Sequence, residues 1–176
     1  MRKQKGFSLI ELLIVIAIIL IIAAIAIPNL LRARIAANEA SSVSSIRTIN
    51  TAQATYVTGY PTTGYAATLA ALGPGGVGTV CPAGGPVVGN ACLIDSNLSN
   101  ATAVANAKSG YIYDMLATAV AGINTQYAVG SAAASFNITG VRGFCSQEDA
   151  VIRFTPSLNG APINTNAACV AYTLLQ

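Results

Sequence analysis

The chain has 176 residues, room for one compact domain beyond a membrane segment, and is 53% hydrophobic but only 9% charged, far below the ~25% charged residues of ordinary soluble domains. Its net charge of +3 comes from Arg2, Lys3 and Lys5, and without them six basic side chains face six acidic ones; the charge therefore gives little support to nucleic-acid binding, and no direct nucleic-acid site is identified. There is no histidine, which removes the commonest general base and metal ligand.

The first element is an apolar run. Between residues 12 and 27 no side chain is charged or strongly polar, and with its flanks the run reaches the ~20 residues that a bilayer-spanning helix needs. Glu11 stands inside it. A carboxylate at that depth costs about 2.5–3.5 kcal/mol on insertion scales, so its presence implies a function and a compensating charge. The basic head ends at Gly6. Cleavage there would remove the three cations and leave an α-amine on Phe7, four residues from Glu11 on one helix face; the amine of an adjacent copy is the other available partner.

A short basic leader, Gly6 before Phe7, Glu11 at the fifth position after that junction, an apolar run and Pro28 together resemble the class III signal of the type IV pilin and pseudopilin superfamily. The resemblance covers about the first quarter of the chain. It implies that a prepilin peptidase cuts between Gly6 and Phe7 and that Phe7 is N-methylated. Glu11 then neutralises the amine of a neighbouring subunit during assembly. The implied fold is an α+β ladle, with a long amino-terminal helix packed on an antiparallel sheet. The implied partners are copies of the chain, the peptidase, an inner-membrane assembly platform and, before assembly, the lipid bilayer. The expected location is the inner membrane first and an extracellular filament afterwards. An ordinary secretory signal cut near Ala24-Ile25-Ala26 is the competing reading; the length of the apolar stretch and Glu11 argue against it.

The expected organisation is a leader at 1–6, a membrane or filament-core helix at 7–31, its amphipathic continuation at 32–58 and a globular head at 59–176. Pro28 removes a backbone donor and clashes with the preceding turn, predicting a kink or local melting; in pilins a proline so placed allows the helix to lose regular structure in a filament. Beyond it Ile35, Val43, Ile46, Ile49 and Tyr56 form an apolar stripe, with Arg32, Arg34, Glu39 and Arg47 on the polar side. The helix is expected to reach about residue 57, and its stripe to floor the head.

Gly59, Pro61 and Gly64 end the helix. Residues 59–110 read as loop with a short helix at 66–72, and by resemblance as a variable surface loop. Gly75-Gly76-Val77-Gly78 lacks the spacing and lysine of a phosphate loop. Residues 111–176 read as strands at 111–116, 127–131, 141–145, 151–155 and 169–174, in a meander with one face on the helix and one wet. Residues 146–149 make a polar hairpin tip. The stretches 140–145 and 150–154 resemble the penultimate hairpin of pilin-like heads.

Four cysteines, Cys81, Cys92, Cys145 and Cys169, point to disulfides in an exported domain, and three connectivities are open. Cys81 with Cys92 would close a loop rich in glycine and proline, and Cys145 with Cys169 would tie the last strand to a central one; the stretch 145–169 is similar in placement to the disulfide-bounded loop of many pilins. No metal site, cofactor or catalytic constellation is expected. Asn97, Asn100 and Asn137 begin Asn-x-Ser/Thr sequons. Within the superfamily a pilus subunit is favoured over a type II secretion pseudopilin, because no acidic loop resembles the calcium site of the major pseudopilins. A membrane-anchored binding module is the remaining alternative.

Overall fold

A computed structural model describes residues 8–75, 80–156 and 160–175. The chain forms two compact units, one ending at Arg34 and one beginning at Ile35. Its elements are the long helix and antiparallel sheet of an α+β fold.

Helix α1 (Leu9–Gly59) has 51 residues. In the first unit its side chains lie open, Leu9 at 81% and Leu20 at 68% exposure, so length and composition would let this part cross a membrane. A helix meets its backbone hydrogen bonds internally, which is what lipid demands of a single segment. Pro28 lies inside α1, and the helix runs through it unbroken. Of the kink or local melting expected at Pro28, melting is absent in the single chain, where one missing donor is not enough to unwind a helix bonded on both sides of it.

In the second unit α1 packs on a five-stranded antiparallel sheet in the order β1-β2-β3-β4-β5. The strands are β1 (Tyr111–Val120), β2 (Ile123–Ala133), β3 (Gly143–Gln147), β4 (Arg153–Thr155) and β5 (Thr173–Leu174). Alternation turns Tyr113, Met115, Val129 and Phe144 to the core with Ile46, Ile49 and Tyr56 of α1, as period-2 strands on an amphipathic helix require. β1 and β2 outrun their expected bounds because Ala121 and Gly122, at φ 52° and 85°, close a two-residue turn with positive φ at both positions.

Three expectations are corrected. The sheet's outer face is not wet throughout: Ala128, Ala132 and Cys145 are buried there while Leu116 is 48% exposed, and a Cβ on Gly130 would lie 1.8 Å from the Ile163 carbonyl oxygen. The carboxyl-terminal segment crosses this face closely enough to require glycine. Cys169 sits not on a strand but in helix α4 (Asn166–Val170), before the short β5. Finally, residues 59–110 are not merely surface loop. Helices α2 (Leu69–Leu72) and α3 (Ser96–Ser99) place Leu69, Leu72 and Leu98 in the core. Both are capped, by Thr68 Oγ1 accepting from the Ala71 N–H and by Asp95 Oδ1 accepting from the Leu98 N–H, an arrangement worth about 1 kcal/mol each.

Candidate assembly interface

At the start of α1 the Ser8 carbonyl accepts from the Leu12 N–H at 3.2 Å, while Glu11 Oε2 accepts from the Ser8 N–H at 2.9 Å. Ser8 is thus the residue before the first helical turn and Glu11 the third within it, and this bond is the glutamate half of the Ser-x-x-Glu capping arrangement. The carboxylate occupies the positive end of the helix dipole. It satisfies a backbone donor that hydrocarbon could not. Sequence reasoning missed this role of Glu11, although the Ser8-x-x-Glu11 spacing is itself the signal for it. Gly6 and Phe7, the expected cleavage and methylation positions, lie outside the described residues, as does the Gly76-Val77-Gly78 part of the discounted phosphate loop.

Residues 1–27 match the prokaryotic N-terminal methylation motif. The chain carries the amino-terminal signature of the type IV pilin and pseudopilin superfamily. This pilin-type segment is similar to that of the type IV wide pilus major component PilA4 of Thermus thermophilus, 72% identical over 39 residues, which are 22% of this chain and 30% of that protein. It is similar also to the type IV major pilin protein PilA of Myxococcus xanthus, 41% identical over 54 residues, 31% of this chain and 24% of that one. The matched stretch thus spans under a third of either relative. No solved structure matches the chain significantly.

In the second unit the pilin-type helix meets the sheet through polar groups that sequence reasoning missed. Glu39, placed on the polar side, is 5% exposed. Its Oε1 accepts from the N–H groups of Val141 and Arg142 at 3.1 and 3.0 Å, and its Oε2 from Arg142 Nε at 2.7 Å, with Arg142 Nη2 also at 2.7 Å. Arg142 lies over the rings of Phe144 and Phe154, 5.5 and 5.7 Å from their centroids, and its carbonyl accepts from the Tyr111 hydroxyl at 2.8 Å. Burial pushes the Glu39 carboxyl up, but the Arg142 and Val141 hydrogen bonds and the Arg142 charge outweigh it and hold the group below its ordinary value.

Further along the same face Ser42 and Ser131 share a hydrogen bond at 2.7 Å. Asn50 donates to Ser146 Oγ and accepts from the Tyr127 hydroxyl. Gln53 brackets Ala66, donating to its carbonyl at 3.0 Å and accepting from its N–H at 2.9 Å. The buried positions 39, 42, 46, 49, 53 and 56 alternate steps of three and four. That spacing, read without regard to polarity, would have placed Glu39, Ser42 and Gln53 against the sheet.

The carboxyl-terminal segment is strapped to the outer face at several points. Cys145 on β3 is bonded to Cys169 on α4, with Cα atoms 5.8 Å apart. Asn164 donates to Asp114 Oδ2 on β1 at 2.9 Å, and Asn166 to Glu148 Oε2 beyond β3 at 2.8 Å. Cys81 is bonded to Cys92, with Cα atoms 5.9 Å apart, and the loop they close is held by the Tyr56 hydroxyl donating to the Val88 carbonyl at 2.8 Å. Both Cα separations suit a disulfide. Among the described residues no group of three or more His, Cys, Asp and Glu side chains is placed to hold a metal ion.

Proposed function

We propose that this chain is a structural subunit of a type IV pilus, cut between Gly6 and Phe7, methylated at Phe7 and polymerised through the exposed first half of α1. The observation carrying this reading is that half-helix itself: Leu and Ile side chains open to the surroundings behind a carboxylate at its amino-terminal end. Bilayer lipid covers it before assembly, and the equivalent helices of other copies replace the lipid in a filament core. Glu11 satisfies the Ser8 N–H in the single chain and is the group available to a neighbour's methylated amine in the polymer. Pro28 is the place where α1 loses a turn if filament packing demands it. The names of the two relatives, a type IV wide pilus major component and a type IV major pilin, support the reading of a pilus subunit.

The deciding experiment is the intact mass of the protein recovered from filaments sheared off the cell surface. A species beginning at methylated Phe7 in that fraction is expected. Processed protein confined to the envelope would point to the pseudopilin instead, and an uncut chain or one cut near Ala26 would overturn the reading. Gly6→Asp should leave the leader attached.

A further inference from the structure

Arg32 and Arg34 close the first unit, on the part of α1 that stands open to its surroundings. Both are exposed, and among the described residues neither guanidinium takes part in a hydrogen bond or an ion pair. No acid of α1 is free to take them: Glu11 lies at the other end of the apolar stretch, and Glu39 is held by Arg142 and two backbone N–H groups.

Their place along the helix is set by the charges that bracket the apolar run. From residue 12 to residue 31 the chain carries no charge, and at ~1.5 Å per residue these positions span about 30 Å, the thickness of a bilayer's hydrocarbon. Glu11 precedes the stretch and Arg32 follows it, so a bilayer covering the apolar side chains meets one charge at the headgroup level of each leaflet. The Cβ atoms of a helix tilt toward its amino terminus. Both arginines therefore lean back toward the lipid, with methylene stems that suit hydrocarbon and guanidinium groups at the depth of the phosphates.

Two cations on this side run against the bias that keeps Lys and Arg in the cytoplasm. With the amino terminus inside, both must cross on insertion, a cost that phosphate on the far side offsets. A guanidinium takes phosphate through two parallel hydrogen bonds. Residues two apart are separated by ~200° around a helix, so Arg32 and Arg34 face nearly opposite sides and a single phosphate does not serve both.

We propose that Arg32 and Arg34 form a headgroup site on the leaflet opposite the amino terminus, each holding the phosphate of one anionic phospholipid, and that they fix the depth of the apolar helix before assembly. The site rests on the membrane stage of the proposed function and adds to it a ligand, a stoichiometry and the residues responsible.

The test is native mass spectrometry of the full chain, extracted from membranes in mild detergent and loaded with phosphatidylglycerol or phosphatidylcholine. Removing an arginine should lower occupancy of its own site about fivefold. The wild type should thus carry chiefly two phosphatidylglycerol molecules, Arg32→Gln or Arg34→Gln chiefly one, and the double Arg32→Gln/Arg34→Gln chiefly none. Arg47→Gln, the same change of charge in the second unit, should match the wild type. Wild-type retention by the double, one lipid instead of two on the wild type, or an equal loss in Arg47→Gln would overturn the inference. So would equal retention of phosphatidylcholine, or release of the lipid by inorganic phosphate, which would assign the arginines to a free anion. A wild-type chain recovered outside the membrane fraction with neither lipid bound would instead sink the membrane stage itself.

Discussion

Replacing Glu39 by alanine removes the acceptor for two backbone N–H groups and a guanidinium at 2.7–3.1 Å. Breaking a buried pair from one side costs about 3–5 kcal/mol, most of it from what is left unpaired. Here Arg142 keeps 41% of its side chain exposed, so water can recover part of the guanidinium's loss, and the expected figure is the low end, about 3 kcal/mol. For a head of this size that corresponds to a melting midpoint lower by roughly 10 °C. The assay is circular dichroism of the detergent-solubilised full chain at pH 7. The sign of the pH dependence follows from the lowered Glu39 carboxyl, whose ordinary value is 4.5. Its stabilisation is complete above that value and is lost as pH falls through the lower, folded one. The gap between wild type and Glu39→Ala should therefore hold from pH 7 to about 5 and narrow below about 4. A midpoint shift under about 3 °C, or a gap undiminished at pH 2, would refute the argument that a charged, hydrogen-bonded Glu39 clasps the helix to the sheet.

Three further outcomes are expected. Glu11→Gln preserves the reach back to the Ser8 N–H, since glutamine serves in the same capping arrangement, but removes the charge; leader cleavage and membrane insertion should persist while the loss of a buried charge partner between copies lowers filament incorporation about tenfold or more, and normal piliation would show that capping, not charge, is what Glu11 supplies. Replacing Cys145 and Cys169 together by serine opens a loop of sequence separation 24, for an expected loss of about 3.5 kcal/mol; unreduced peptide mapping of the wild type should return Cys145 with Cys169 and Cys81 with Cys92, and any other pairing refutes the assignment. Gly130→Ala places a Cβ against the Ile163 backbone, so the strap must shift at a cost of about 1–3 kcal/mol, read as faster reduction of Cys145–Cys169 by dithiothreitol; an unchanged rate would mean that the strap is not packed as described.

The amino-terminal part of this protein was determined by the sequence alone, because its physics is local. A run of Leu and Ile of membrane length, one carboxylate, and a basic head before Gly6 require no partner in the fold to be recognised. The existence of strands was legible from alternation for the same reason, and so was the helix stop at Gly59. Tertiary structure decided what depends on residues distant in the chain. The length of the first hairpin rested on Ala121 accepting a positive φ, which composition alone does not announce. Glu39 became a buried clasp because Arg142 and two backbone donors arrive from a hundred residues away. Gly130 and the small residues beside it admit the carboxyl-terminal segment over the outer face, so that part of a face expected to be wet is buried at Ala128, Gly130 and Ala132. Polarity along the chain marks what a residue would cost to bury, and only the fold supplies the partners that offset that cost.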